Sequence, residues 1–322
     1  MANEMLWTTN SGFLTNNQLN KMLRYSAQPI QRFRQFVGLK EAFGKNQGQS
    51  VNWDKIANTS EYGGKLVETN TMHETKQVIT QGTVTVDEYG LSIPFTRKIE
   101  TLSEFSLREI VEEGLGDDQA KVIDGVVERE FNKTPLRYVG TATAGFVLTT
   151  NSVATATNTS VMNEYHIRKM ALELKKRHVP GFGKAGGDYV MIASYEVVEN
   201  LQGSMLSVNQ YTTQGYEKIA SGEVGRIHGV RVVEDGFATR FTFNADTRAA
   251  TAISWGTSNS LVAYMFGAQT VREAVAVPEE VRVKTPTDFG RSQGIAWYGI
   301  FGWAIEWTDE PNARIIKWDS AG

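Results

Sequence analysis

Gly181-Phe-Gly183-Lys-Ala-Gly186 carries the G-x-G-x-x-G spacing with which a strand, loop and helix hold a dinucleotide pyrophosphate. That chemistry needs the loop to leave a strand and open a helix, because the helix N-terminus and its free amides bind the phosphates. Here the order is reversed: the glycines follow a helical segment ending at His178-Val-Pro180 and precede a buried-type strand, Tyr189–Ala193. The context predicts a helix stop and a flexible loop. Lys184 lacks the upstream glycine of a phosphate loop and is followed by Ala185. The four histidines, His73, His166, His178 and His228, include no H-E-x-x-H and no pair at helical ligand spacing, so each is expected at the surface or at a cap. With no G-x-S-x-G and no cysteine, nucleophile elbows, thiolate metal sites and disulfides are excluded. Glu109, Glu112, Glu113, Asp117, Asp118, Asp124, Glu128 and Glu130 could hold a divalent cation, but their spacing fits the solvated face of a helix better. No catalytic, cofactor-binding or metal residue is therefore assigned.

The elements that would have to position such residues explain the same letters without chemistry. The 322 residues, 41% hydrophobic and 21% charged with a net charge of −3, describe an ordinary globular chain with no global basic footprint for nucleic acid. Met1–Asn20 has no basic stretch followed by an apolar core, so no secretory signal is expected. Tyr138–Asn163 and Ala249–Val271 are uncharged but too polar or too broken to span a bilayer, and no membrane partner is expected. Residues 1–48 hold Lys21, Arg24, Arg32, Arg34, Lys40 and Lys45 against Glu4 and Glu41, a basic arm on an otherwise acidic chain, with one short helix around Gln18–Tyr25.

Gln49–Ala57 and Gln77–Phe95 alternate as two strands of one long hairpin with a polar tip at Ser60–Met72. An isolated two-stranded hairpin is marginal in water, so another surface must cover it. Thr101–Lys133 predicts a helix stopped by Thr134-Pro135, with a bend or break near Gly114–Gly116. Glu164–His178 predicts a second helix, N-capped by Asn163 and burying Ile167, Met170, Ala171 and Leu174. Tyr189–Ala193, a short helix from Ser194 to Gly203 and a strand pair within Gly222–Glu234 complete a compact α+β unit. Ser260–Ala268, Val271–Val277, Glu280–Val283, Ile295–Trp307 and Ile315–Trp318 return to strand chemistry.

At Gly222–Asp235, GEVGRIHGVRVVED, a run of glycines between a helical segment and a strand closes on acidic residues. This resembles the A-domain signature of tailed-phage major capsid proteins of the Hong Kong 97-type fold, especially the branch seen in Enquatrovirus-like podophages. Other segments are similar in the same order. Leu107–Lys133 looks like the family's spine helix, Glu164–Val179 with Tyr189–Ala193 like its apical helix and strand, and Gly294–Trp307 like a returning peripheral strand. The hairpin stands where the family carries its extended loop. The resemblance covers residues 100–322 and rests on segment order, since no single motif is diagnostic.

The resemblance implies an α+β shell subunit without a catalytic site or cofactor. Its parts would be an N-terminal arm (1–48), an extended hairpin loop (49–98), a peripheral domain in two pieces (99–157 and 255–322) and an apical domain (158–254). It further implies hexamers and pentamers around packaged double-stranded DNA, with scaffolding, portal and decoration proteins as partners. Assembly would take place in the host bacterial cytoplasm and end in a virion capsid. Trp53, Glu61, Lys65 and Glu68 are the inter-subunit candidates of the hairpin, and Arg24, Arg32 and Arg34 the interior-facing candidates of the arm. Some relatives join a loop lysine to an asparagine. Lys55, Lys65 and Lys76 lie in the hairpin, but no partner asparagine or assisting acid is identifiable, so crosslinking is not expected. A nucleotide-dependent enzyme using residues 158–254 is the second reading. A non-repeating chain argues against the third, a fibre-like phage or surface β-protein.

Overall fold

A computed structural model describes residues 32–38, 40–42, 48–56, 63–69, 71–151, 158–183, 187–209, 225–235, 241–244, 249–252, 254–255 and 258–321. The first half of the chain gives β1 (Lys40–Ala42), β2 (Ser50–Ile56), β3 (Ile79–Thr85), β4 (Asp87–Thr96), α1 (Arg97–Leu102), α2 (Leu107–Asn132), β5 (Leu136–Ala142) and β6 (Gly145–Thr149). Next come α3 (Glu164–Lys176), β7 (Tyr189–Ala193), α4 (Tyr195–Asn209), β8 (Arg226–Ile227) and β9 (Val230–Glu234). The chain then forms β10 (Phe241–Asn244), β11 (Ala249–Ala252), β12 (Ser254–Trp255), β13 (Ser258–Phe266), β14 (Val271–Val283), β15 (Ser292–Ile305) and β16 (Ile315–Ala321).

The larger sheet runs β6-β5-β16-β13-β7-β9-β8, with β12 on β13. All five residues of β7 are buried, because β13 and β9 flank it and both faces are covered. Alternation sends its side chains into two cores. Val190 and Ile192 join Tyr264 and Phe266 of β13 against α2, while Tyr189, Met191 and Ala193 join Ala263 and Met265 against α3 and α4. The sheet is thus a wall between two cores. Its strands come from both sides of the expected boundaries at residues 157/158 and 254/255.

The second sheet is β1-β14-β15-β4, and α2 bridges the two. The expected break at Gly114–Gly116 is corrected: α2 is continuous from 107 to 132, and the interruption falls at residues 103–106 instead. Leu107 and Val111 before the glycines, Leu115 between them and Ile123 beyond them are all buried in the core, so packing overrides the low helix propensity of Gly114 and Gly116. The expectation of a wholly solvated acidic face is also corrected. Glu109, Glu112 and Glu113 are exposed, but Asp124, Glu128 and Glu130 are buried where α2 passes between the sheets. Asp118 accepts the Trp297 indole N–H at 3.0 Å and ties the helix to β15.

Gln77–Phe95 is likewise not one strand. It divides at Val86: β3 pairs with β2 in a separate ribbon, and β4 pairs along β15 in the second sheet. Val271–Val277 and Glu280–Val283, expected as two strands, form one with register shifts between Val275 and Val277 and between Val277 and Glu280, the second spanning Pro278, which has no N–H for the ladder. The helix expected from Ser194 to Gly203 continues to Asn209. Asn163 caps α3 as expected, its Oδ1 accepting the His166 N–H at 3.2 Å. The helix expected at Gln18–Tyr25 lies outside the described residues.

Candidate assembly surfaces

The β2–β3 ribbon has a fastened root and an uncovered remainder. At the root Trp53, 7% exposed, packs with Val84, Val86 and Ala274, and the Arg272 guanidinium lies 5.1 Å from its ring. A Cβ on Gly82, directly across the ribbon, would stand 2.4 Å from the Trp53 ring, so only glycine leaves room for it. Lys55 is buried as well, its Nζ donating to the Glu306 carbonyl at 3.1 Å and sitting 5.3 Å over Trp307. Trp53, an inter-subunit candidate of the sequence, thus packs within its own subunit, and the Lys55 amine is engaged there as well. Away from the root, Ile56, Leu66, Val67, Met72, Val78 and Ile79 are each 56–63% exposed. Scattered exposed apolar residues are ordinary, but these six all lie on one two-stranded ribbon and its loop. Lys65 and Glu68 are exposed at the tip, while Glu61 lies outside the described residues.

The described end of the arm is docked on the body. Phe33 is fully buried between Phe131 and Tyr264, with both ring centroids at 5.6 Å, and Phe36 packs edge-on against Phe182 and Phe266. The backbone N–H groups of Arg32 and Arg34 both donate to the Asp124 carboxylate at 3.0 Å. Burial pushes the Asp124 carboxyl above its usual range, and these amides oppose the shift. The Arg34 guanidinium reaches buried Glu273 at 2.7 Å and also Glu279. At Arg34, an interior-facing candidate of the sequence, both carboxylates take donors of the guanidinium. Arg24 lies outside the described residues, and the Arg32 side chain is half-buried.

Inside the seam between α2 and the larger sheet sits a set of buried charges. Glu128 is fully buried, and its carboxyl is pushed well above the usual range by burial and by the nearby charges of Asp235 and Asp124. Lys317 is brought down to about 7 by burial and by Arg137. Lys317 contacts the Asn132 amide oxygen, and the Asn158 amide donates to Asp319 at 2.8 Å. These carboxylates, Glu128, Asp235, Asp319 and Asp124, are each at most 3% exposed. His166 is the other correction: it is buried beside Trp318 and Tyr138 at centroid distances of 4.7 and 6.2 Å, and burial lowers it to about 4. His228 meets Glu164 at 2.6 Å at the start of α3.

The glycine loop closes on itself. Phe182 and Asp188 form a bridge, and a Cβ on Gly181 would lie 2.1 Å from the Gly187 carbonyl oxygen. Gly181 lies against Gly187 in a tight return between α3 and β7, and residues 184–186 lie outside the described residues. Sequence reasoning missed the receivers of the arm and ribbon, Asp124, Glu273 and the Glu306 carbonyl, since contacts between residues 90 to 251 positions apart leave no local signal.

Two sheets bridged by one long helix, with helices on the larger sheet and a ribbon projecting from the smaller, make the α+β architecture of Hong Kong 97-type shell subunits. Solved phage capsids share it. The capsid structure of Helicobacter pylori bacteriophage KHP30 superposes with a TM-score of 0.69 at 12% identity, covering 100% of both chains. That of cyanophage P-SCSP1u gives 0.68 at 12% identity, covering 97% of this chain and 94% of that one. The capsid of Ralstonia phage GP4 gives 0.66 at 15% identity, covering 95% of each. No curated protein matches the sequence. The family described as phage capsid protein matches residues 80–315, and the chain belongs to that family. Its role is structural, as a major subunit of the virion capsid.

Proposed function

We propose that the chain assembles into hexamers and pentamers that close an icosahedral head around double-stranded DNA, working by repeated contact and without catalysis. The observation that carries this reading is the ribbon, whose root is bolted to its own subunit and whose exposed remainder bears six large apolar side chains. Its cover is a neighbouring subunit, with Glu61, Lys65 and Glu68 adding ionic contacts worth ~0–1 kcal/mol each at an exposed interface. Many weak, identical contacts allow errors to be corrected before a closed shell forms. The arm, hairpin, two-piece peripheral and apical divisions follow the family's plan, with the larger sheet as the common wall of the last two. Arg24 and Arg32 face the interior and meet packaged DNA or a scaffold through contacts indifferent to sequence. Assembly takes place in the host bacterial cytoplasm, with portal and decoration proteins joining the shell, and the segment order favours the Enquatrovirus-like podophage branch. The order helix, glycines, strand, the reverse of a pyrophosphate-binding loop, gives the nucleotide-enzyme reading no support. Negative-stain microscopy of the purified chain is the test. Closed shells, tubes or six-fold rings are expected, and monomers alone across a wide range of concentration and salt would refute it.

A further inference from the structure

Lys317 of β16 and Asn132, the last residue of α2, meet inside the seam between that helix and the larger sheet. The amine contacts the side-chain amide oxygen of a residue 185 positions away. An ammonium resting on an amide is an ordinary hydrogen bond, but three features set this contact apart. The first is the state of the amine. Lys317 is almost wholly buried, and burial together with the Arg137 charge on β5 lowers it to about 7, against the opposing pull of Asp319 and Glu128. At neutral pH about half of the chains then hold an uncharged, nucleophilic nitrogen there.

The second feature is an acid on the same face of the helix. Glu128 stands one turn before Asn132, at the i to i+4 spacing that makes helical side chains neighbours. It is fully buried among Asp124, Asp235 and the Tyr264 hydroxyl, and its charge is coupled to that of Lys317. Burial pushes its carboxyl well above the usual range, which favours the protonated acid. The third feature is a way out. Asn132 is only partly buried, so a small molecule released at its amide reaches solvent.

We propose that the Lys317 amine displaces ammonia from the Asn132 side-chain amide, forming an isopeptide bond between β16 and α2 with Glu128 as the proton carrier. The lone pair of Nζ adds to Asn132 Cγ, the carbon bonded to the oxygen it already touches. The Glu128 carboxyl protonates Nδ2, the Cγ–Nδ2 bond breaks and ammonia leaves. The carboxylate then takes a proton from the new Cγ–Nζ link and ends as it began. One amine and one primary amide become one secondary amide and ammonia, with no oxidant or co-reactant. Holding the two groups in contact supplies the orientation that makes such a step fast. It occurs once per chain, acts on no outside substrate and is independent of the shell reading. Unlike a bond from a hairpin lysine, it ties one subunit to itself.

The intact mass of the denatured chain reads the bond directly: a fraction lighter by about 17 Da should grow on warm incubation at mildly alkaline pH. Trypsin should no longer cut that fraction after Lys317, and tandem spectra should join the peptide carrying Asn132 to the one carrying Lys317. Lys317→Met, which keeps a long unbranched side chain without the amine, should retain the full mass. Glu128→Gln, checked for folding by circular dichroism, should slow the loss at least tenfold. A parent chain still at full mass after prolonged incubation, both free and in assembled particles, would overturn the proposal. So would a loss mapped to a different asparagine or one that survives in Lys317→Met, and loss at the parent rate in Glu128→Gln would strip that carboxyl of its role. A chain that forms the bond but no shells would refute the shell reading alone.

Discussion

His166 and Arg34 show how far a residue's type stands from its use. A lone histidine after an Asn cap reads as a surface group, yet the turn of α3 carries it inward onto Trp318. Its folded value of about 4 lies below the ordinary 6.5, so between pH 6.5 and 4 the unfolded chain binds more protons than the folded one. Stability that is fully present above pH 6.5 is therefore lost as pH falls through that window, by on the order of 2 kcal/mol. His166→Phe keeps an aromatic ring and removes the titration. Thermal midpoints measured from pH 7 to pH 4 should fall less steeply in this variant than in the parent, and parallel curves would count against the assignment. Arg34 was legible as a cation but not as an occupied one, because Glu273 lies 239 positions away and no local spacing announces it. Trp53 belongs to the same class: its alternation with Val51 marks a buried face, but not whose surface buries it.

At the scale of elements, legibility follows periodicity. α3, β7 and the β8–β9 pair were readable to within a few residues, because each has one environment along its length and its apolar spacing reports it. α2 and the Gln77–Phe95 segment change environment midway, and there the reading failed. The glycines of α2 give a direct check. A Cβ on Gly114 or Gly116 would meet nothing within 4 Å, and both positions are exposed in a continuous helix. Gly114→Ala and Gly116→Ala should each stabilise by ~0.5–1 kcal/mol, chiefly by restricting the unfolded chain. Urea titration should show a higher midpoint at unchanged slope. A lower midpoint would mean that α2 must bend there.

Taken whole, the molecule separates what holds a subunit together from what it shows to others. The two cores share one sheet wall, whereas the ribbon tip at residues 63–69 is exposed throughout. Replacing residues 61–70 with a short Gly-Ser turn should leave circular dichroism and the thermal midpoint nearly unchanged. Closed particles should become rare or fragile on dilution and heating, and equal particle yield and toughness would show the tip to be an idle loop. Segment order made the overall plan legible, but not which strands share a sheet, because pairing between distant segments leaves no periodic trace. That sharing bears on timing. β16 lies between β5 and β13, so β5 finds its inner neighbour only once residues 315–321 have left the ribosome. Roughly 170 residues separate β6 from the end of β16, about 10 to 35 s of synthesis. Until then Leu136, Tyr138 and Val139 lack the strand that covers them, and the nascent chain must be kept from sticking to its siblings on the same message. The reward for this delay is a built-in proofreading step: a prematurely ended chain never completes the wall, and so never offers a finished surface to a growing head.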